Sequence, residues 1–93
     1  MIGEAIKRIR LKRGFKQYEY AEIIGVTQAY LSGIEKGNKT PSYDLILKIS
    51  KLERLPIAFI FWFSISEEDI DERKVEAFRI LKPTIDKMID SIY

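Results

Sequence analysis

The stretch from Gln17 to Lys36 constrains the fold more than any other part of this sequence. It reads as two short helices with a glycine between them. Gln17 to Ile24 ends at Gly25, and the Thr27 hydroxyl can cap a helix running from Gln28 to Lys36. Ala21 is small where two steeply crossing helices come closest, and Gly25 permits the backbone conformation of a sharp interhelical turn. Tyr20, Ile24, Val26, Leu31 and Ile34 supply the apolar positions that lock the pair onto a preceding helix. Gln28, Ser32 and Lys36 recur at four-residue spacing with Ala29 and Gly33 beside them. One face of the later helix is therefore polar or small, and free to enter a groove.

Helical periodicity governs the rest of the chain as well, punctuated by glycine and proline. A first helix is predicted from Gly3 to Arg13, with Ile2, Ile6 and Ile9 on one face and Gly14 as its stop. Gly37-Asn38 ends the third helix. Thr40-Pro41, a hydroxyl followed by a first-turn proline, predicts a fourth helix through about Leu52 with a buried stripe of Tyr43, Ile46, Ile49 and Leu52. Pro56 opens a short fifth helix, Ile57 to Phe63, apolar almost all round. Ser64 with Glu67, or Ser66 with Asp69, can cap the helical segment after it. In the final segment Phe78, Leu81, Ile85, Met88 and Ile92 fall at helical spacing, and Pro83 among them predicts a kink or two short helices. No run reads as a strand. The fold class is all-α.

Composition narrows the function. The 93 residues include no cysteine and no histidine, so disulfides, thiol nucleophiles, the commonest general base and the commonest metal ligand are all missing. Neither an enzyme nor a cofactor is expected. The cluster Glu67, Glu68, Asp69, Asp71 and Glu72 lacks the glycine and ligand spacing of a calcium loop and reads as a favourable helix N-terminus, so no metal is expected. The longest apolar run, Leu55 to Phe63, is nine residues, whereas a membrane-spanning helix needs about twenty. The N-terminal residues lack the layout of a signal peptide. A soluble, cytoplasmic protein without a small-molecule ligand is the expectation. Charge is unevenly placed: residues 1–55 hold eleven Lys or Arg against six Asp or Glu, and residues 56–93 hold five against eight. The basic half is the one suited to a polyanion.

The segment from about Glu4 to Phe63 resembles the phage-repressor and Cro-like helix-turn-helix domains, the xenobiotic-response-element type. The matching pieces are Ile6-Lys7-Arg8-Ile9-Arg10, Lys12-Arg13-Gly14, Gln17, Ala21 through Gln28, Leu31 through Gly37, and Thr40-Pro41-Ser42. The resemblance implies a five-helix, lambda-repressor-like domain over residues 1–64 with a helical C-terminal extension over residues 65–93. It implies a structural ion pair between Arg10 and Glu35, and a phosphate grip by Lys16 and Gln17 at the start of the second helix. It places Gln28 at the leading base-contacting position, where a glutamine amide can bond adenine twice. Thr27, Ala29, Tyr30, Ser32, Gly33 and Lys36 line the same approach, and Lys36, Asn38, Lys39 and Thr40 run along the next phosphates. Three departures stand out. Lys16 replaces a capping Ser or Thr, Tyr20 replaces a core Leu, and Gly33 replaces a longer side chain.

Phe59, Phe61, Trp62 and Phe63 form an aromatic run too large for a domain of this size to bury on all sides, and large apolar patches mark interfaces. Together with Phe78, Leu81, Ile85, Met88 and Ile92 they predict a homodimer interface. The alternative is that the C-terminal segment folds back over the aromatics within one chain. The expected function is sequence-specific binding of double-stranded DNA, at a palindromic operator, by a dimeric transcriptional repressor. An antitoxin-like module that neutralises a partner protein and a restriction-modification controller are the rival readings.

Overall fold

The computed structural model describes residues 1–92; the side chain of Ile92, expected at the dimer face, and the whole of Tyr93 lie outside the described residues. The described chain forms six α-helices: α1 (Ile2–Lys12), α2 (Gln17–Ile24), α3 (Gln28–Lys36), α4 (Tyr43–Glu53), α5 (Ile57–Ser64) and α6 (Val75–Ile92), with a single 3-10 turn at Glu67–Asp69. No strand occurs among the described residues.

α1 is the central member, packing on both α3 and α5. Its Ala5, Ile6 and Ile9 recur at helical spacing and are buried with Ile24, Leu31, Ile34, Ile49 and Ile60 in one core. Among the glycines Gly3 makes the tightest approach: a Cβ built on it would overlap the Ile34 carbonyl. This glycine is where α1 rests directly on the backbone of α3. The turn between α2 and α3 is closed by Gly25, whose φ of 75° lies in the left-handed region. The backbone N–H of Val26 donates to the Ala21 carbonyl across 2.9 Å. Ala21 is buried at this crossing, as its size suggested.

Several local expectations are corrected. α4 is capped by Ser42, whose Oγ accepts from the Leu45 N–H at 3.1 Å, and not by Thr40. Of the expected stripe Ile46 and Ile49 face the core, joined by Leu45, while Tyr43 and Leu52, near the two ends of the helix, are exposed. Ser66 pairs with Asp69, whose carboxylate accepts the Ser66 N–H at 2.9 Å, while the Ser64 hydroxyl turns back to the Phe61 carbonyl. α6 continues through Pro83 as one helix of 18 residues, so the proline does not divide it. α4 ends on Arg54 with φ 53°, a left-handed cap made without glycine.

α6 folds back on α5 and α1. Ile89 is only 4% exposed and enters the core, with Ile85 partly buried beside it. The Phe78 ring lies against Trp62, with ring centres 6.0 Å apart, and further attachments are polar. Trp62 Nε1 donates to Asp86 at 2.7 Å, Arg8 pairs with Asp90 at 2.8 Å, and Lys12 reaches Asp90 at 3.3 Å. The Lys82 ammonium stands 5.0 Å from the Trp62 ring centre. The aromatic run is thus divided: Phe63 is buried within the chain, Phe59 and Trp62 are partly covered, and Phe61 remains exposed. Leu81 and Met88, at 53% and 58% exposure, face outward from α6.

This packing predicts the effects of one substitution and of acid. Gly3→Ala gains helix propensity yet overpacks the α1–α3 contact, so it should destabilise the protein by about 1–3 kcal/mol in urea unfolding. The acid effect centres on Asp90. Desolvation opposes its ionisation, but the hydrogen bond from Lys12 and the charge and hydrogen bond of Arg8 outweigh it, holding the carboxyl below the usual aspartate range. A carboxyl lowered on folding contributes stability above its unfolded pKa and loses it as pH falls through the folded value. α6 should therefore loosen below about pH 4, seen as a red shift in emission of the single tryptophan, Trp62. Asp90→Asn should shrink the acid dependence of that shift.

Candidate nucleic-acid interface

α3 buries one side and presents the other. Leu31, Ile34 and Glu35 face inward, while Gln28, Ala29 and Lys36 are exposed and Ser32 and Gly33 are half-buried. The helix starts on Thr27, whose Oγ1 accepts the Tyr30 N–H at 3.1 Å. It ends on Gly37, after which the N–H groups of Asn38 and Lys39 both donate to the Gly33 carbonyl, at 2.8 and 3.1 Å. The chain therefore doubles back beside α3, and Asn38, Lys39 and Thr40 stay exposed along its end. The Tyr30 ring packs against the edge of the core and its hydroxyl donates to the Thr40 carbonyl at 3.4 Å, joining the start of α3 to the loop after it.

The orientation of α3 is set by a buried ion pair. Arg10 and Glu35 are each 7% exposed. Arg10 Nε and Nη2 meet the two Glu35 oxygens at 2.8 and 2.9 Å, and Nη1 donates to the Phe15 carbonyl at 2.8 Å. Gln17 Nε2 adds a donation to Glu35 Oε1 at 3.2 Å. The hydrogen bond with Glu35 raises the Arg10 pKa against the opposing effect of desolvation, so its charge is firmly held. One carboxylate thus ties α1, the start of α2 and α3 together.

At the N-terminus of α2, Lys16 offers no acceptor for the first backbone N–H groups. Glu19 instead reaches back and accepts the Lys16 N–H at 2.9 Å. The remaining first-turn donors and the exposed Lys16 ammonium suit an anion. Gln17, the first residue of α2, is half-buried and its amide Nε2 is turned to Glu35.

Charge pairing sharpens the electrostatics. Arg8, Arg10, Lys12 and Arg13 are all engaged by carboxylates. Lys16, Lys36 and Lys39 have no carboxylate partner among the described residues. These three exposed lysines therefore carry charge that no carboxylate among the described residues offsets. Lys48, Lys51 and Arg54 on and after α4 are likewise exposed, a basic group that periodicity alone does not single out. Also unread in the sequence was the role of Tyr20, whose hydroxyl donates to the buried Glu53 at 3.0 Å while Arg13 pairs with the same carboxylate at 2.8 Å. The described residues contain no cluster able to hold a metal ion, and no helix among them is long and apolar enough to cross a membrane.

The helix-turn-helix family model matches residues 6–59, spanning α1 to within α5. The chain belongs to the helix-turn-helix family of the Cro/C1 type. Members of this family are DNA-binding transcriptional regulators. The chain is 37% identical over 57 residues to the HTH-type transcriptional regulator YgzD of Bacillus subtilis, covering 61% of this chain and 86% of that one. It is 29% identical to the cryptic phage CTXphi transcriptional repressor RstR of Vibrio cholerae, covering 100% of this chain and 82% of that protein. Identity to the HTH-type transcriptional regulator SinR of Bacillus subtilis is 43% over 51 residues, 54% of this chain and 46% of SinR. No solved structure matches the chain.

Replacing Glu35 by alanine leaves Arg10 buried and unpaired, so the variant should lose about 3–5 kcal/mol in chemical denaturation. Glu35→Gln retains an acceptor for Arg10 and should lose less.

Proposed function

We propose that the chain is a sequence-specific repressor that binds double-stranded DNA as a homodimer, with α3 in the major groove. The observation that carries this reading is the exposed face of α3, ringed by Lys16, Lys36 and Lys39, none of which a carboxylate neutralises among the described residues. In this reading Lys16 and Gln17 grip one phosphate, with the α2 N-terminus adding its dipole. Lys36, Asn38, Lys39 and Thr40 follow the next phosphates. Gln28 reads adenine, Ala29 packs on a thymine methyl, and Thr27, Tyr30 and Ser32 border the read bases.

Pairing of two chains is assigned to residues 65–93 together with α5. An apolar groove of Ala58, Phe59, Trp62, Ile85, Met88 and Ile89 lies between α5 and α6, beside the exposed Phe61 and Leu81. For half-sites one helical turn apart, such a pair would have to hold its two α3 helices about 34 Å apart on one face of the duplex. A repressing role is supported by the full-length similarity to RstR, itself a transcriptional repressor.

Selection of bound sequences from a random DNA pool tests binding, specificity and pairing together. The expected product is a palindrome with half-sites one helical turn apart, bound with affinity that falls steeply as salt rises. Gln28→Ala should relax one or two positions in each half-site at a cost of about 1–3 kcal/mol. Equal binding to every duplex, or affinity indifferent to salt, would overturn the reading.

A further inference from the structure

Gly33 stands on the exposed face of α3, inside a helix, where glycine is an unfavourable residue. Its φ is not positive, so the backbone does not demand it. The missing side chain's space is occupied by Lys39. A Cβ built on Gly33 would lie 2.7 Å from Lys39 Cγ, with Lys39 Cβ at 3.5 Å and Cδ at 4.0 Å. Any side chain at position 33 must displace that methylene stem. The backbone holds the arrangement from the other side, because the Lys39 N–H donates to the Gly33 carbonyl at 3.1 Å. Lys39 is exposed and has no carboxylate partner among the described residues.

We propose that Gly33 is a seat for the Lys39 stem, so that a loop residue fills the outward position 33 of α3 and carries its ammonium to the DNA backbone. Gly33 is then a positioning residue, and Lys39 the group that touches phosphate. The inference rests on the DNA-binding reading. It differs from the idea that Gly33 simply lets DNA come close, because it makes the effect of residue 33 depend on residue 39.

Wild-type protein, Gly33→Ala, Lys39→Ala and the double variant are compared on one selected duplex across 50–200 mM salt, with thermal unfolding in parallel. Lys39→Ala should lower the slope of log affinity against log salt by about 0.9. Gly33→Ala should weaken binding by about tenfold when Lys39 is present and have almost no effect when residue 39 is alanine. Its thermal stability should be unchanged or higher, since alanine favours the helix. Equal weakening in both backgrounds, or none in either, would overturn the proposal. Proton–proton contacts between the Gly33 α-protons and the Lys39 γ-methylene, measured by nuclear magnetic resonance on the free protein, test the seat without DNA. They are expected in wild-type protein, and their absence would overturn the seat itself. If those contacts are present but no duplex is bound, the DNA-binding reading has failed and the assignment of Lys39 to phosphate fails with it.

Discussion

The contact between Arg10 and Glu35 fixes more of this molecule than any other interaction. Burying two charges is unfavourable unless their polar atoms find partners, and here every nitrogen of the guanidinium and both carboxylate oxygens have one. The guanidinium meets both carboxylate oxygens and the Phe15 carbonyl, and Gln17 adds a donor to the same carboxylate. Such a pair is directional where apolar packing is not. Ile6, Ile9, Leu31 and Ile34 would tolerate α3 sliding or rolling on α1; the bidentate pair would not. Gly3 against the Ile34 carbonyl adds a second point of contact between the same helices. Two such points leave α3 little freedom to turn, and the face it shows outward is fixed as a result.

A second buried carboxylate repeats the device with different partners. Glu53, at the end of α4, accepts from Tyr20 of α2 and pairs with Arg13 beyond α1. A tyrosine in a core position thereby becomes intelligible: its ring fills the core and its hydroxyl satisfies a carboxylate that would otherwise be stranded. No buried side-chain nitrogen or oxygen among the described residues lacks a partner. The two ion pairs place polar links between helices whose remaining contacts are apolar.

Much of this was legible in the sequence, and the failures have physical causes. The α2–turn–α3 unit was readable because Ala21, Gly25, Leu31 and Ile34 each have one stereochemical use at that spacing. The start of α4 was not, because Thr40 and Ser42 both offer a capping hydroxyl. The apolar residues Tyr43, Leu45, Ile46, Ile49 and Leu52 cover more than one side of α4, and only its packing against the neighbouring helices buries Leu45 while leaving Tyr43 and Leu52 exposed. Pro83 predicted a kink or two short helices, and the second alternative fails because α6 continues through it, since local proline penalties compete with the contacts a whole helix makes. Gly3 and Gly33 were silent for another reason. A helical glycine means only that something comes near, and the neighbour is a residue remote in the chain or folded back from beyond the helix end. The uneven charge of the two halves also proved to have two origins. Part of it is internal, since α6 supplies Asp86 and Asp90 to Arg8 and Lys12, and part is exposed on lysines such as Lys16, Lys36 and Lys39 and, on α4, Lys48 and Lys51.

The stem of Lys39 over Gly33 has a consequence for how such a surface can change over generations. Residues on the inner side of α3 are bound to the core and to Arg10, so most substitutions there disturb folding. Residue 39 belongs to a loop, where substitution is tolerated far more readily. A change there alters the outward surface of α3 while every helical residue stays as it was. One piece of the outward surface of α3 is thus carried by a residue that the core does not hold.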